Sequence, residues 1–218
     1  TVRPQNYTSR PYIIENDWTS ASYWYEMMAL YGNHEDTLVL NGLADGSKQG
    51  DSAVKYIYSL LGVKTVFESA ESEHPTAVTL THRMGRVQRL DFDFVNCPDL
   101  AQTVVTTCCA LDIPFHFTGL SSLKIKETDR IEALKKELRK LGYLIRSKND
   151  SELIWDHGRC EPSFEPIDTY NDHRMAMAFA PMAIKFPGLQ INNPQVVSKS
   201  YPNFWKDLQQ AGFGIESL

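Results

Sequence analysis

The 218-residue sequence contains no apolar run approaching the roughly 20 residues that a membrane-spanning helix requires. It also lacks an excess of basic residues: 27 aspartates and glutamates outnumber 22 lysines and arginines, and the formal net charge is −5. A membrane span and broad nucleic-acid binding through a basic surface are therefore not expected. With 42% hydrophobic and 22% charged residues, the composition is that of an ordinary globular protein.

Cysteine is scarce, and the four that occur form neither a CxxC pair nor a Cys/His metal spacing: Cys97, Cys108, Cys109 and Cys160. Two of them, Cys108 and Cys109, lie inside an apolar segment. This pattern favours buried, reduced thiols in a cytoplasmic protein over disulfides or a bound metal. A glycine-rich phosphate loop, an HExxH helix and a GxSxG turn are also absent from the sequence, so none of the sites that these motifs build is predicted.

The sequence does contain a threefold internal repeat. Three segments open with an aspartate followed by a largely apolar helical run, and each continues into a short strand and then a lysine near the start of a second helix. The aspartates are Asp17, Asp99 and Asp172, and the lysines are Lys48, Lys126 and Lys199. The first two units then continue into strand pairs, and a further strand leads into the next unit: GRVQRLDFDF before Asp99 and EPSFEPIDTY before Asp172. The pattern is therefore close to βαβαββ, and the short strand of the third unit is predicted at LQINN. The third unit ends before its strand pair, and we expect something outside this sequence to complete it.

The two helices of each unit differ in their hydrophobic pattern. The first helices, such as VVTTCCAL and MAMAFAPMAI, are apolar nearly all round and are expected to be buried in the middle of the protein. The second helices have charges opposite an apolar stripe and are expected on the outside of the core. Pro181 is expected to kink the first helix of the third unit or to end it early.

Cations cluster where several of these helices begin. Lys126 and Arg130 crowd the first turn of the second unit's amphipathic helix, and His173 and Arg174 open the buried helix of the third unit. Lys199 is expected at or just before the N-terminus of the last helix. The helix dipole is positive at this end and disfavours cations by roughly 0.3–1 kcal/mol each. A bound anion would resolve the conflict, so the pattern predicts an anionic ligand.

The alternative is that Arg130 and Arg174 merely pair with Asp129, Asp172 or neighbouring acids. For Lys48, in the segment SKQGD, we favour this simple pairing. Three cationic helix starts within one repeated architecture favour the ligand interpretation for the others.

Two carboxylates are candidates for proton transfer. Asp99 follows NCP and has the position of an ordinary helix N-cap. Glu127 lies between Lys126 and Arg130, and adjacent cations keep a carboxylate ionised and oriented. Proton transfer requires groups of this type within hydrogen-bond reach of the reacting atoms, so Asp99 and Glu127 form the candidate acid–base pair.

Four segments make the sequence similar to a known family. The stretches LKIKETDRIEALKKELRKLG and TYNDHRMAMAFAPMA resemble signature regions of the 5-enolpyruvylshikimate-3-phosphate synthase (3-phosphoshikimate 1-carboxyvinyltransferase) family. DWTSASYW is similar to that family's Asp-x-Ser-Ser-Ala-Ser-Tyr segment, and SKSYPNFW to its C-terminal Lys-Thr/Ser-x-Pro-x-Phe/Tyr segment. The four matches occur in the family's order and cover nearly the whole chain.

The resemblance implies an α/β fold, an inside-out barrel of three βαβαββ units with buried central helices and sheets outside. The chain resembles the family's C-terminal half: residues 1–14 would be the tail of the missing N-terminal domain and the hinge, and residues 15–218 the C-terminal domain. Its units would cover about 15–84, 85–158 and 159–218, the last one incomplete. In the family the extreme N-terminus crosses back to complete this domain. The start, TVRPQNYTSR, has neither an initiator Met nor a signal-peptide core, and we interpret it as a cut from a longer chain.

The implied reaction moves the enolpyruvyl group of phosphoenolpyruvate to the 5-hydroxyl of shikimate 3-phosphate and releases phosphate, without a metal or organic cofactor. By this resemblance Asp99 accepts the proton of the 5-hydroxyl, and Glu127 donates a proton to the phosphoenolpyruvate methylene. The other implied contacts are Arg130, Arg174 and Lys199 for phosphoenolpyruvate, Asp99, Ser122 and Lys126 for shikimate 3-phosphate, and His173 and Asp172 at or beside the ligands. Ser122 departs from the family pattern, because many members have Asn there.

In the family, the other half supplies the remaining phosphoenolpyruvate cations and the serines that hold the shikimate phosphate. This chain alone is therefore expected to fold without turning over substrate. Two alternatives stay open: a non-catalytic phosphate-binding or scaffold domain of the same fold, and a UDP-N-acetylglucosamine enolpyruvyl transferase, which shares the fold but not these two signatures. Intact Asp99, Glu127, Arg130 and Arg174 argue against the scaffold.

Overall fold

The computed structural model describes residues 3–9, 11–31, 35–68 and 75–216. Within these ranges the helices are α1 (Trp18–Leu30), α2 (Val54–Leu60), α3 (Ala101–Ala110), α4 (Arg130–Lys140), α5 (His173–Phe179) and α6 (Phe204–Gln210). The strands are β1 (Thr37–Leu43), β2 (Val63–Phe67), β3 (Thr76–His82), β4 (Leu90–Asp93), β5 (Phe115–Thr118), β6 (Arg146–Lys148) and β7 (Glu152–Trp155). Of residues 1–14, Thr1, Val2 and Arg10 lie outside the described ranges, and the rest form neither helix nor strand.

The strands form two sheets, so the architecture is α/β. In the first sheet β3 lies between β1 and β2 and pairs antiparallel with both. The second sheet has the order β4-β5-β7-β6, with β4 and β5 parallel and the other pairs antiparallel. The strand pairs predicted after the second helices of the first two units are therefore confirmed. In β7, Leu153 and Trp155 alternate towards the core, as expected for a strand with one buried face.

The third unit contributes no strand to either sheet among the described residues. The predicted strands EPSFEPIDTY and LQINN are reduced to a single parallel bridge between Ile167 and Ile191. Its two hydrogen bonds, Ile167 N–H to Gln190 O and Asn192 N–H to Ile167 O, are both 2.8 Å long. A ladder needs a partner along the length of a strand, and no such partner for these segments lies in the described ranges. The two strand predictions are therefore wrong for this chain.

The helices predicted to be buried, α1, α3 and α5, are buried along most of their length. α1 packs against α3, and α3 packs against α5. Every residue of α3 from Ala101 to Cys109 is buried. α5 ends at Phe179, two residues before Pro181, and a short 3₁₀ helix, Ala180–Ile184, follows it. Proline has no N–H for an α-helical hydrogen bond, and the predicted early end is confirmed.

The second helices bury one side only, as predicted. In α4 the buried apolar residues Ile131, Leu134 and Leu138 recur at helical spacing. The chain turns after α4 at Gly142, whose φ of 92° is left-handed and favours glycine. Within the described ranges no helix combines the length and the apolarity that crossing a bilayer demands.

All four cysteines are free thiols. Cys97, Cys108 and Cys109 are buried, as predicted, whereas Cys160 is partly exposed, with its Sγ 3.5 Å from Arg139 O. Burial raises the pKa of Cys97 to about 12, so this thiol stays protonated at neutral pH and is a poor nucleophile.

A carboxyl group is buried between two of the central helices. Glu26 of α1 is fully buried, and Thr106 Oγ1 of α3 donates a hydrogen bond to its Oε1 at 2.7 Å. Burial raises the pKa of Glu26 well above its usual 4.5, so the fold favours the neutral acid.

We expect Glu26→Gln to stabilise the protein at neutral and alkaline pH, because the amide keeps an acceptor for Thr106 and cannot ionise. The folded carboxyl binds its proton more tightly than the unfolded one. Its contribution to stability is therefore complete below pH 4.5 and is lost as the pH rises through the folded pKa. Urea denaturation at about pH 5 and about pH 8 checks this, and a gain of equal size at both values would contradict it.

Candidate functional site

Arg130 is the centre of a cluster of charged side chains. It is the first residue of α4, whose N-cap is Asp129, and only 1% of its side chain is exposed. Its Nε donates to Asp172 Oδ2 at 2.6 Å, its Nη1 to Asp99 Oδ1 at 3.0 Å, and its Nη2 to Glu127 Oε2 at 2.8 Å. One buried guanidinium therefore joins three carboxylates, two of which are distant from it in the sequence.

Asp172 has two functions in this cluster. It is the N-cap of α5, where its Oδ1 accepts from the Arg174 N–H at 2.9 Å, and both its oxygens accept from Arg130. The chain reaches Asp172 through two successive left-handed residues, Tyr170 and Asn171, with φ of 53° and 57°. Such angles cost of the order of 1–3 kcal/mol at non-glycine residues and persist where the surroundings hold them. The backbone is therefore strained immediately before the buried carboxylate.

Asp99 connects the two arginines. Its Oδ1 accepts from Arg130, its Oδ2 accepts from Arg174 Nη2 at 3.1 Å, and Lys126 Nζ lies 3.5 Å from Oδ1. The prediction that Asp99 is an N-cap is wrong. It is the middle residue of a 3₁₀ helix, Pro98–Leu100, that has no side-chain cap. The carboxylate of Asp99 therefore caps no backbone N–H group at this helix start and binds the side chains of Arg130 and Arg174 instead.

Glu127 is bound by Arg130 and Lys199. Its Oε2 accepts from Arg130, and its Oε1 accepts from Lys199 Nζ. The hydrogen bond from Lys199 has the largest effect on this carboxyl, and with the charge of Arg130 it lowers the pKa of Glu127 to about 2. Lys199 was predicted at or just before the N-terminus of the last helix. It instead ends a separate 3₁₀ helix, Pro194–Lys199, and α6 begins only at Phe204.

The predicted cations therefore converge, and they are paired. The cations of the cluster are Lys126, Arg130, Arg174 and Lys199, and its carboxylates are Asp99, Glu127 and Asp172. Of the two named acids with which Arg130 was alternatively expected to pair, it pairs with Asp172 and not with Asp129. Lys199 and Lys126 are the accessible members, with 56% and 35% of their side chains exposed. The accessible side of the cluster therefore carries two of its four cations.

Three further residues of the sequence predictions have different environments. His173 is buried with its Nδ1 3.8 Å from Asp172 Oδ1, and burial lowers the pKa of His173, so the ring is neutral at neutral pH. Ser122 lies in a 3₁₀ helix with a buried hydroxyl, and no hydrogen bond joins it to the cluster in the described structure. Lys48 is exposed and forms no ion pair with any described residue, so the pairing favoured for it is wrong.

The sequence predictions missed two residues beside the cluster. Tyr23 of α1 is buried next to Arg174; burial raises the pKa of its hydroxyl, and the charge of Arg174 opposes that rise. Asp51 accepts a hydrogen bond from Thr19 and lies within electrostatic reach of Asp99, and burial raises the pKa of Asp51. The shared Lys-x-x-Asp pattern of SKQGD and IKETD aligns Asp51 with Asp129, which caps α4, so the repeat gave no signal that Asp51 lies beside the cluster.

Comparison with known proteins gives a consistent picture. The family described as EPSP synthase (3-phosphoshikimate 1-carboxyvinyltransferase) matches residues 1–208. A 3-phosphoshikimate 1-carboxyvinyltransferase of Bacteroides fragilis is 54% identical over 216 residues, which cover 99% of this chain and 51% of the relative. The protein of the same name from Methanobrevibacter smithii is 32% identical over 218 residues, 100% of this chain and 46% of the relative.

A solved structure shares the fold. The EPSP synthase of Acinetobacter baumannii superposes with a TM-score of 0.71 over 93% of this chain and 47% of that chain, at 20% sequence identity. At this identity the likeness concerns the fold alone. The chain spans about half the length of the curated relatives that it matches.

Proposed function

Because this chain belongs to the EPSP synthase family, we propose that it forms the C-terminal half of an enzyme that transfers the enolpyruvyl group of phosphoenolpyruvate to shikimate 3-phosphate. In the addition step, the 5-oxygen of shikimate 3-phosphate bonds to C2 of phosphoenolpyruvate while its hydroxyl loses a proton and C3 gains one. In the elimination step, C3 loses a proton and the bond from C2 to the phosphate oxygen breaks, releasing phosphate. The product would feed aromatic amino acid biosynthesis in the cytoplasm.

The observation that supports this proposal is the convergence of cations and carboxylates from distant parts of the chain on one partly exposed cluster. Both substrates carry a carboxylate and a phosphate, so their binding requires several cations in one place. We assign Arg130, Arg174 and Lys199 to phosphoenolpyruvate, and Asp99, Ser122 and Lys126 to shikimate 3-phosphate. Preorganised cations of this kind stabilise the charge that develops as phosphate leaves.

The acid–base assignments come from the family resemblance, and the position of both carboxylates in the cluster supports them. We assign Asp99 to accept the proton of the 5-hydroxyl, and Glu127 to exchange protons with C3, with His173 and Asp172 beside the ligands. A pKa of about 2 keeps Glu127 ionised before substrate binds, which suits removal of a C3 proton in the elimination step. For the addition step the same carboxylate must first take up a proton, and movement of Lys199 onto a substrate anion would raise the pKa of Glu127.

We also propose that this domain is the three-unit inside-out barrel expected above, spanning 15–218 after the hinge segment 1–14, and that a strand from the N-terminal half completes its third unit. Two features support the completion. The segment around Ile191, the third unit's counterpart of β5, has only the bridge to Ile167 among the described residues, whereas β5 pairs with a strand on each side. A groove of about 1120 Å³ lies between α1 and β1 on one side and the segment around α6 on the other.

The proposal predicts that activity requires both halves. The 218-residue chain is mixed with the N-terminal half of the Bacteroides fragilis relative, and inorganic phosphate release is measured with both substrates present. We expect release from the mixture and none from either half alone. Enolpyruvyl transfer by this chain by itself would contradict the dependence on the other half.

The same assay separates the alternatives. A phosphate-binding scaffold releases no phosphate in any combination, although it binds phosphoenolpyruvate. A UDP-N-acetylglucosamine enolpyruvyl transferase releases phosphate only when the amino-sugar nucleotide replaces shikimate 3-phosphate. Either result would overturn the proposed substrate pair.

A further inference from the structure

Glu137 is a buried carboxylate that the proposed reaction does not use. It lies on α4 two turns after Arg130, on the same face of the helix. Its Oε1 accepts from Tyr170 Oη at 2.5 Å, and its Oε2 accepts from the Asp168 N–H at 2.9 Å. Lys140 Nζ lies 2.7 Å from the same Oε2. A buried charge persists only where such partners compensate it.

Two of the three partners of Glu137, Asp168 and Tyr170, belong to the segment that leads to Asp172. Lys140 extends the contact, because its Nζ also donates to Pro166 O at 2.8 Å and to Asp168 Oδ2 at 3.1 Å. Residues 166–170, which precede Asp172, are therefore hydrogen-bonded to the C-terminal half of α4. Tyr170, the first of the two left-handed residues, is held through its hydroxyl by this carboxylate.

Helix α4 thus contacts this segment at two fixed points. Arg130 binds Asp172 at the start of the helix, and Glu137 binds Tyr170 and the Asp168 N–H two turns later. A helix of this length is stiff, so the separation of the two anchor points is fixed by its rise per residue. A strained turn lies between them, and it would relax to more populated angles if one anchor were removed.

We propose that Glu137 is a positioning residue, which holds the left-handed turn at Tyr170 and Asn171 and thereby places Asp172 against Arg130. Its effect on the Arg130–Asp172 ion pair follows from the structure alone. Its effect on turnover rests on the proposed function. The two effects can therefore be tested separately.

The test uses Glu137→Gln, with Glu132→Gln as the matched control. In Glu137→Gln the –NH₂ group either replaces Oε2, where it opposes two donors, Lys140 Nζ and the Asp168 N–H, or replaces Oε1, where it can donate to Tyr170 Oη. In both orientations the negative charge that binds Lys140 and strengthens these hydrogen bonds is lost. Glu132 is on the same helix, pairs with Lys135 at 2.6 Å and is half-exposed, away from this segment. Tyr170→Phe serves as a second variant that removes the phenol contact only.

The readout is hydrogen exchange of the Arg130 Nε–H, measured by NMR and assigned by its loss in Arg130→Lys. We expect exchange roughly tenfold faster or more in Glu137→Gln, an intermediate increase in Tyr170→Phe, and no change in Glu132→Gln. Adding Asn171→Gly to Glu137→Gln should recover part of the protection, because glycine takes left-handed angles without strain. Folded Glu137→Gln and Tyr170→Phe proteins with unchanged Arg130 exchange would overturn the proposal.

Turnover of the reconstituted halves gives the second readout. We expect kcat/KM of Glu137→Gln for phosphoenolpyruvate to fall about 100-fold, with part of the loss in KM, because Arg130 is assigned to that substrate and loses its alignment by Asp172. If Arg130 exchange responds while the wild-type halves show no turnover, the positioning inference stands and the proposed reaction fails. If exchange is unchanged while the wild-type halves are active, the positioning inference fails alone.

Discussion

Replacement of Arg130 by methionine is expected to destabilise the protein by about 3–5 kcal/mol at neutral pH. The side chain is 1% exposed, and it donates a hydrogen bond to each oxygen of Asp172, which has no exposed surface. Methionine fills much of the volume but leaves a buried carboxylate without its counter-charge. The penalty for such an unpaired charge exceeds the net value of the original pair, because the desolvation cost remains when the attraction is lost.

The double substitution Arg130→Met with Asp172→Asn tests this reason. Asparagine is an equally good N-cap, so the bond from the Arg174 N–H to residue 172 can persist while the buried charge is removed. We expect the double variant to recover most of the lost free energy of unfolding, as measured by urea denaturation. Arg146→Met is the control, because Arg146 is 69% exposed and pairs with Asp156 at the surface, where a pair contributes about 0–1 kcal/mol. An Arg130→Met protein as stable as Arg146→Met would contradict the argument.

Local signals in the sequence predicted the helices well. Asp17 and Asp172 both cap the helices that they were predicted to open, with side chains that accept backbone N–H bonds. The apolar pattern separated buried from one-sided helices, because burial on all sides needs an apolar helix and burial on one side needs only a stripe. Pro181 marked the end of α5 for a similarly local reason.

What failed depends on distant partners. The strand predicted at LQINN has the composition of a strand, but a strand forms only against a neighbour, and here it has a single bridge. Asp99 has the sequence of an N-cap, yet two arginines that lie later in the chain draw its carboxylate away from the helix start. Neither outcome can be read from the residues next to it.

The candidate site shows the same division. Spacing indicated cations at helix starts, and the structure brings Lys126, Arg130, Arg174 and Lys199 together. The ligand of these four cations and the role of each in a reaction remain predictions. The sequence offered pairing of Arg130 and Arg174 with acids only as the less favoured alternative, whereas the structure pairs all four cations with carboxylates. The sequence did not show the left-handed turn before Asp172, because tyrosine and asparagine do not by themselves demand φ values above 0°.

Replacement of Lys199 by methionine is expected to raise the pKa of Glu127 from about 2 towards its usual 4.5. The hydrogen bond from Lys199 is the main cause of the low value, and Arg130 contributes a smaller share. Because the folded pKa lies below the unfolded one, the stability that ionised Glu127 contributes is complete above pH 4.5 and is lost as the pH falls through 2. Titration of the Glu127 carboxyl carbon by ¹³C NMR measures the shift directly. Lys126→Met is the control. Lys126 pairs with Asp99, so its substitution should leave the pKa of Glu127 unchanged.

The same titration distinguishes two uses of this carboxylate in the proposed reaction. With Glu127→Gln, turnover of the reconstituted halves should fall by about 10²–10⁴, the usual loss when a general acid or base is removed. If substrate phosphate attracts Lys199 away, added phosphoenolpyruvate should raise the pKa of Glu127 in the wild-type protein as the lysine substitution does, and should not raise it further in Lys199→Met. A Glu127 that titrates at about 2 with and without phosphoenolpyruvate would remain ionised throughout and could only accept a proton. The donor for C3 would then have to be another group, and the assignment of Glu127 to the addition step would fall.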